Sequence, residues 1–262
     1  MKKLGITSAL FMALLMCESA QANTYHAEVE ASAGFVDPNH GSSGSEYAVH
    51  GKYFFKPVET RDAPLAESAF LDRASNISVQ GHFSDRGRTK ENAYGAELEI
   101  FVPNSDLYVS AGIKQNEEDE TIHGIKHSSN TTYYNVEAGY LIVPNLLVSA
   151  GIEGFNNDNK NGVDPILRAK YVTQVAGKDV NLEGNIAFGD LDEYHIAADY
   201  YVNKKLSVGA DYYKNNIDQV SEYGVKARKF FTHQFSLEGR VGFGKEFDND
   251  YNSFDLTMRY HF

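Results

Sequence analysis

The chain closes on "NSFDLTMRYHF", in which Phe254, Leu256, Met258 and Tyr260 alternate with Asp255, Thr257, Arg259 and His261. Successive strand side chains point to opposite faces, so this period of two makes a strand with one apolar and one charged face. The same period returns in a repeated hairpin. "LEIFVPNSDLYVSAG", "GYLIVPNLLVSAG", "DYYVNKKLSVGAD" and "KFFTHQFSLEGR" each carry an apolar strand end into a very short turn, from which an alternating strand departs. Each is followed by a polar stretch, "NEEDETIHGIKHSSN", "NNDNKNG", "NNID" and "EFDNDYN", read as a longer loop. Tight turns at one end and longer polar loops at the other describe an all-β, antiparallel, up-and-down β-barrel. A water-soluble β-sandwich also pairs apolar and polar strand faces, and the rest of the sequence decides between the two.

"MKKLGITSALFMALLMCESAQA" opens the chain with two lysines, an apolar run from Ala9 to Met16 and a closing Ala20-Gln21-Ala22. These are the parts of a secretory signal peptide, so residues 1–22 are expected to be removed after Ala22 and the mature chain to begin at Asn23. Cys17 follows bulky Met16, which argues against lipidation and leaves it in the cleaved peptide. The single mature domain, 23–262, then has no cysteine for disulfides or thiolate metal sites. Without Lys2, Lys3 and Glu18, 22 basic and 35 acidic residues remain. So acidic a chain excludes nucleic acid as a partner. No mature stretch approaches the ~20 apolar residues of a membrane helix, yet 17 Tyr, 16 Phe and 22 Gly accompany only 6 Pro. A transmembrane β-barrel of a bacterial outer membrane reconciles these facts, because only every second residue meets lipid.

Strands are predicted near 25–36, 45–55, 74–84, 91–101, 107–115, 131–143, 146–156, 163–175, 179–188, 192–202, 205–214, 219–231, 234–245 and 251–262. Their even number, fourteen, returns both termini to the periplasm. Leu107, Val109, Ala111 and Ile113, then Val136, Ala138, Tyr140 and Ile142, then Leu206, Val208, Ala210 and Tyr212 form uncharged outward faces toward lipid. Lys229 breaks this pattern near a strand end, where its stem can snorkel. Phe262 is placed on the outward face at the membrane rim, in an aromatic girdle, on a strand that must close against the first.

The opposite phase holds the charge. Glu97, Glu99, Glu137, Glu153, Glu183, Asp199 and Asp211 give an acidic wall, while Lys114, Arg168, Lys170, Lys226, Arg228, Arg240 and Arg259 supply base, concentrated toward the last strands. These fourteen are the pore-lining candidates. Their segregation would set a transverse field in a water-filled channel with a modest preference for cations; mutual neutralisation inside a filled barrel is the alternative. Asp192, Glu193 and His195, and the pair His123 and His127 beside Glu117, Glu118, Asp119 and Glu120, are hints of a His base and of a metal site. Neither group has a specific companion, and Gly-x-Ser-x-Gly and His-Glu-x-x-His are both absent. Asp248, Asp250 and Asn252 have the first spacings of a calcium loop but lack its glycine and closing glutamate. The chain is therefore expected to be no enzyme and to need no cofactor.

One connection breaks the tight-turn rule. Lys56 to Ser75, "KPVETRDAPLAESAFLDRAS", falls where the first periplasmic turn belongs, and it carries an apolar "PLAESAFL". Pro64 has the fixed φ that starts a helix. Such a helix either covers the barrel base, docks a periplasmic partner, or tucks into the mouth as a constriction built from Leu65, Glu67, Phe70 and Arg73. In the last case Glu67 and Arg73 face lumen charges and Phe70 packs on the inner wall.

The stretch from Tyr53 through Lys56, Val58, Pro64, Leu65, Ala66, Glu67, Ala69, Phe70, Leu71, Arg73 and Ala74 to Ser75 resembles the "YxxKxV...PLAEAAFL-x-RAS" stretch of the general bacterial porin family of Gram-negative outer membranes, with Ser68 in place of an alanine. "LIVPNLLVSAG" and "KLSVGAD" extend the likeness more weakly. The resemblance implies a small fourteen-stranded passive diffusion porin with compact external loops. It also implies that terminal Phe262 is an assembly signal for the barrel-assembly machinery. Implied partners are outer-membrane lipid and lipopolysaccharide, and small hydrophilic solutes or ions, for a barrel expected to be a monomer. A closed structural or adhesive barrel, whose surface loops bind a partner, is the rival.

Overall fold

The computed structural model describes residues 24–122, 125–158, 160–190, 192–216 and 219–262. The expected signal peptide, with its Ala22 cleavage site, and His123 lie outside the described residues. Among the described residues fourteen strands follow in order: β1 (Thr24–Pro38), β2 (Gly44–Glu59), β3 (Asn76–Arg86), β4 (Thr89–Phe101), β5 (Leu107–Ile122), β6 (Ile125–Val143), β7 (Leu146–Asn157), β8 (Asn161–Val175), β9 (Lys178–Ala187), β10 (Glu193–Asn203), β11 (Leu206–Asn215), β12 (Val220–Phe230), β13 (Phe235–Glu246) and β14 (Asn249–His261). Each pairs antiparallel with its sequence neighbours, and β1 closes on β14 from Glu28↔His261 to Pro38↔Tyr251. Closure leaves no strand edge open.

All fourteen predicted strands are present, and the two-residue period sorts their faces. Val109, Ile113, Val136, Tyr140, Ile142, Val208 and Tyr212 are exposed on the outside. Phe262 is on the same face at the end bearing both termini, its ring 4.7 Å from Tyr260 and its N–H donating to the carbonyl of Ala27 on β1. Tyr53, Phe55, Tyr200 and Phe231 are exposed toward this terminal end, and Phe35, Tyr47, Tyr94, Tyr223 and Phe254 toward the distal end, so aromatics bracket the apolar belt.

The polar stretches correct one expectation. "NEEDETIHGIKHSSN" is a hairpin rather than a loop over most of its length, with β5 and β6 paired from Asn116↔Thr131 to Ile122↔Ile125. Beyond the apolar belt both faces of a strand are wet, so polar residues cost little on either, while the ladder still satisfies the backbone N–H and C=O groups. The calcium-like stretch is likewise a tight hairpin turn, at Phe247 and Asp248, both at left-handed φ (45° and 69°). The two ends of the barrel thus differ in polarity more than in loop length.

Buried apolar residues gather in clusters rather than along the bore. Tyr25, Phe54, Val58 and Ala74 form one, and Tyr108, Leu141 and Leu147 another, both at the terminal end. Phe155, Ile166 and Ala187 form a third in the distal half. Three register shifts, at Tyr25/Ala27, Leu141/Val143 and Tyr201/Asn203, also lie at the terminal end. A bulge of one residue reverses which face a side chain takes. The first accounts for Tyr25, out of phase with inward Glu28, being buried all the same.

Candidate functional site

The β2–β3 connection does not hang below the barrel. After Pro64, a 3₁₀ turn (Leu65–Glu67) runs into one α-helical turn (Ser68–Leu71). Pro64 precedes the helical residues, and its carbonyl accepts the first bond, from the N–H of Glu67 (3.0 Å). The helix ends with Arg73 at φ 50°, while the N–H of Ala74 donates to Ala69 and that of Arg73 to Phe70. This is a Schellman stop, and Ala69 packs against the cluster that contains Ala74.

The segment crosses the bore. Leu65, 4 % exposed, donates its N–H to the carbonyl of Lys204 in the β10–β11 turn (3.0 Å). That turn faces β2–β3 across the closed sheet. Lys204 also pairs with Asp62. Glu67, 5 % exposed, accepts from the Tyr201 hydroxyl (2.5 Å) and pairs with Lys170 on β8 (2.9 Å). Phe70 packs on the cluster of Tyr108, Leu141 and Leu147, with the Lys170 ammonium 5.3 Å above its ring. At the near side Asp72 holds Lys56 (3.2 Å) and Arg61 (2.7 Å). Arg73 departs from expectation: it pairs with Asp106 in the β4–β5 turn (2.8 Å), away from the lumen charges. As the left-handed residue after the helix it sends its side chain to the rim, while Glu67, inside the helical turns, reaches the bore.

Above the segment the inner wall carries the remaining candidates, largely in pairs. Arg168 meets Glu137 (3.0 Å), Lys170 meets Glu183, and Lys226 meets Asp199 (3.2 Å). Arg228 meets Glu238 (2.8 Å), and Arg259 meets Glu30 (2.5 Å) and Glu28 (3.7 Å). Arg240 is held by Asp211 (2.5 Å), Glu222 (2.5 Å) and Asp255 (3.6 Å). Glu99 accepts from Tyr108 (2.6 Å) and Asn76 (3.0 Å), and Lys114 lies 4.7 Å from the Tyr133 ring centre. Glu97 and Glu153 sit in the inward phase, between outward Ala96 and Leu98 and beside outward Ile152, and neither has an ion pair among those described. The late basic residues are not segregated from acid, because Glu28, Glu30, Glu222, Glu238 and Asp255 stand beside them. Those five were missed in sequence, although they share the inward phase of their strands and alternation alone could have found them.

Two cavities stand out in the bore among the described residues. One of about 1450 Å³ opens at the distal end and includes Arg86, Tyr133, Phe155 and Glu246 in its wall. The other, about 930 Å³, lies over the crossing segment. Nine carboxylates and seven Lys or Arg line the second; five carboxylates and two Lys or Arg line the first. Both are therefore acidic. The catalytic hints separate: Asp192 accepts from Asn216, Glu193 from Tyr213 and Asn215, and His195 lines the second cavity. Asp119 is taken by Ser128 and Lys126, and Asp248 by Lys245. Among the described residues no group of three or more His, Cys, Asp or Glu could hold a metal ion.

Comparison with known proteins places this geometry. The chain is similar to the outer membrane protein Omp33 of Acinetobacter baumannii, with a TM-score of 0.69 and 25 % identity over 92 % of this chain and 99 % of that one. A looser likeness, TM-score 0.47 and 9 % identity over 90 % of this chain and 99 % of the other, is to the KdgM porin in complex with disordered oligogalacturonate. No curated protein sequence matches it. Residues 1–179 match the family described as "Putative general bacterial porin", and the chain belongs to that family, a channel for small solutes in the bacterial outer membrane.

Proposed function

We propose that this porin is a passive, water-filled diffusion channel without catalytic activity, whose narrowest point is the segment crossing its periplasmic mouth. The observation that carries this reading is the fastening of Leu65 and Glu67 to the β10–β11 side of the wall, opposite the strands from which the segment springs. Solutes entering from outside meet a wide acidic vestibule, then a wall of paired charges, then Leu65, Glu67 and Phe70. Arg73 contributes by tying the segment to the β4–β5 turn rather than by facing the path. The acid excess in both cavities supports a modest preference for cations that weakens as salt screens the field. The apolar outward belt supports a monomer in lipid, with Phe262 at the seam as the assembly residue. Residues 1–22 are read as the cleaved signal peptide, which N-terminal sequencing of the mature protein checks at Asn23.

Planar-bilayer recording tests the channel itself. Deleting residues 60–71 is expected to raise unitary conductance while heat-modifiable gel migration, the sign of a folded barrel, persists. A folded deletion variant with unchanged conductance removes the constriction and leaves the segment as a docking surface. Absence of any conductance from either protein replaces the channel with the rival reading, a closed structural or adhesive barrel.

A further inference from the structure

On the inner wall of β10 to β14, charged side chains lie on a floor of glycine. One cross-strand row reads Asp199, Gly209, Lys226, Arg240, Asp255 and Gly34, and the next row toward the outside reads Asp211, Gly224, Gly242 and Ser253. Arg240 leans from the first row across the second. A Cβ built on Gly224 falls 2.5 Å from Nη2 of Arg240 and 2.6 Å from its Cζ and Nε, so the guanidinium rests directly on the bare backbone there. From that position it reaches Asp211 on one side (Nε 3.1 Å, Nη2 2.5 Å), Glu222 beyond it (2.5 Å) and Asp255 on the other (3.6 Å). Gly242 carries the Glu222 carboxylate in the same way, its Cβ position lying 2.7 Å from Oε1. An arginine of full length is thereby laid along the wall of the second cavity with three carboxylates around its guanidinium, its side chain 20 % exposed.

We propose that this inlaid network is the selectivity element of the channel and that Gly224 determines it, by keeping the Arg240 charge flat and masked while the three carboxylates set the local field. The inference rests on the channel reading and deepens it: inorganic cations are the favoured permeants because the Arg240 guanidinium is held against the wall among three carboxylates, as Arg168, Arg228 and Arg259 are each held by carboxylates of their own. Any side chain at position 224 takes the space of the guanidinium. The atoms in its way are the far end of a flexible side chain rather than backbone, so Arg240 swings out and the strand stays. Gly151 is the contrast, since a Cβ there falls 2.1 Å from the backbone oxygen of Val136 and threatens the sheet itself.

Reversal potentials of single channels across a low-salt KCl gradient test this. The wild-type channel is expected to favour potassium, Gly224→Leu to lose that preference and part of its conductance, and Arg240→Gln to strengthen it. Gly224→Ala, the gentler change, is expected to move in the direction of Gly224→Leu and serves if the larger variant fails to fold. Heat-modifiable migration confirms folding in each case. Folded Gly224 variants with wild-type conductance and reversal potential, from a conducting wild type, overturn the inference alone. A wild type that does not conduct overturns this inference, and a silent 60–71 deletion variant beside it overturns the channel reading as well.

Discussion

The two ends of the barrel are built from the same alternating strands and are closed differently. At the extracellular end the strands run on past the apolar belt as polar hairpins around an open cavity of about 1450 Å³. At the periplasmic end the bore is crossed by one inserted segment, and inward Phe54, Tyr108, Leu141 and Tyr201 are buried against it or beside it. An inward-facing apolar residue in a wet barrel needs a partner to cover it. The segment supplies that cover, and its polar ties at Glu67 and Asp72 fix where it lands. The difference teaches that at the periplasmic end this fold fills its interior by insertion between strands, while in the distal half strand residues such as Phe155, Ile166 and Ala187 pack on one another.

Core truncation at the two ends is accordingly expected to be unequal. Phe54→Ala, at a residue 1 % exposed beneath the segment, is expected to cost about 3–5 kcal/mol. Phe155→Ala, whose ring lines the open vestibule, is expected to fall below that range because water can enter the space it leaves. The temperature at which the folded gel band converts to the unfolded one measures both. Equal losses would break the comparison.

Next in size is the latch. Glu67→Gln keeps an acceptor for the Tyr201 hydroxyl but removes the charge that Lys170 faces, and Lys170 keeps Glu183. The expected cost is about 1–3 kcal/mol, felt locally as release of the segment. Trypsin cleavage after Arg61 from the periplasmic side is expected to quicken while barrel melting changes little. Protection at the wild-type level would mean that Leu65 and Phe70 hold the segment without the ion pair.

The helix stop gives a smaller and cleaner contrast. Arg73→Gly and Arg73→Ala both lose the pair with Asp106, which is partly exposed and worth at most about 1 kcal/mol. Only glycine relieves the left-handed backbone at φ 50°, so the glycine variant is expected to exceed the alanine variant by about 1–2 kcal/mol. Urea titration of segment release, read by the same trypsin cut, compares them.

These contrasts track what was legible in the sequence. Period-two alternation marked every strand and the inward phase, because burial against lipid enforces it residue by residue. It failed for residues 116–130, where both faces are wet and a paired strand looks like a loop. The odd length of 56–75 and the helix after Pro64 were also readable. Its landing on Lys204, Tyr201 and Lys170 was not, since those contacts join residues more than a hundred positions apart. Arg73 was misassigned for a local reason: helix phase places a side chain only within the helix, and this residue is the left-handed one just past its end. The pairing of the late basic residues was missed because the acid list left out β1 and β12 to β14.

The smallest effect belongs to the extracellular rim, where no inserted segment buries anything. Asp248 lies in the β13–β14 turn with its carboxylate 2.9 Å from the Lys245 ammonium, both exposed to water. The hydrogen bond from Lys245, with the attraction of its charge, holds the Asp248 carboxyl below the usual aspartate range. A carboxyl depressed in the folded state adds stability above its unfolded value of about 3.9 and loses it as pH falls through the lower folded value. Asp248→Asn isolates this charge, because asparagine tolerates the left-handed φ of 69° as aspartate does. The variant is expected to melt slightly below the wild type at pH 7, with the gap closing as the solution is acidified below that value. A gap that persists unchanged at low pH would assign the difference to the turn backbone rather than to the ion pair.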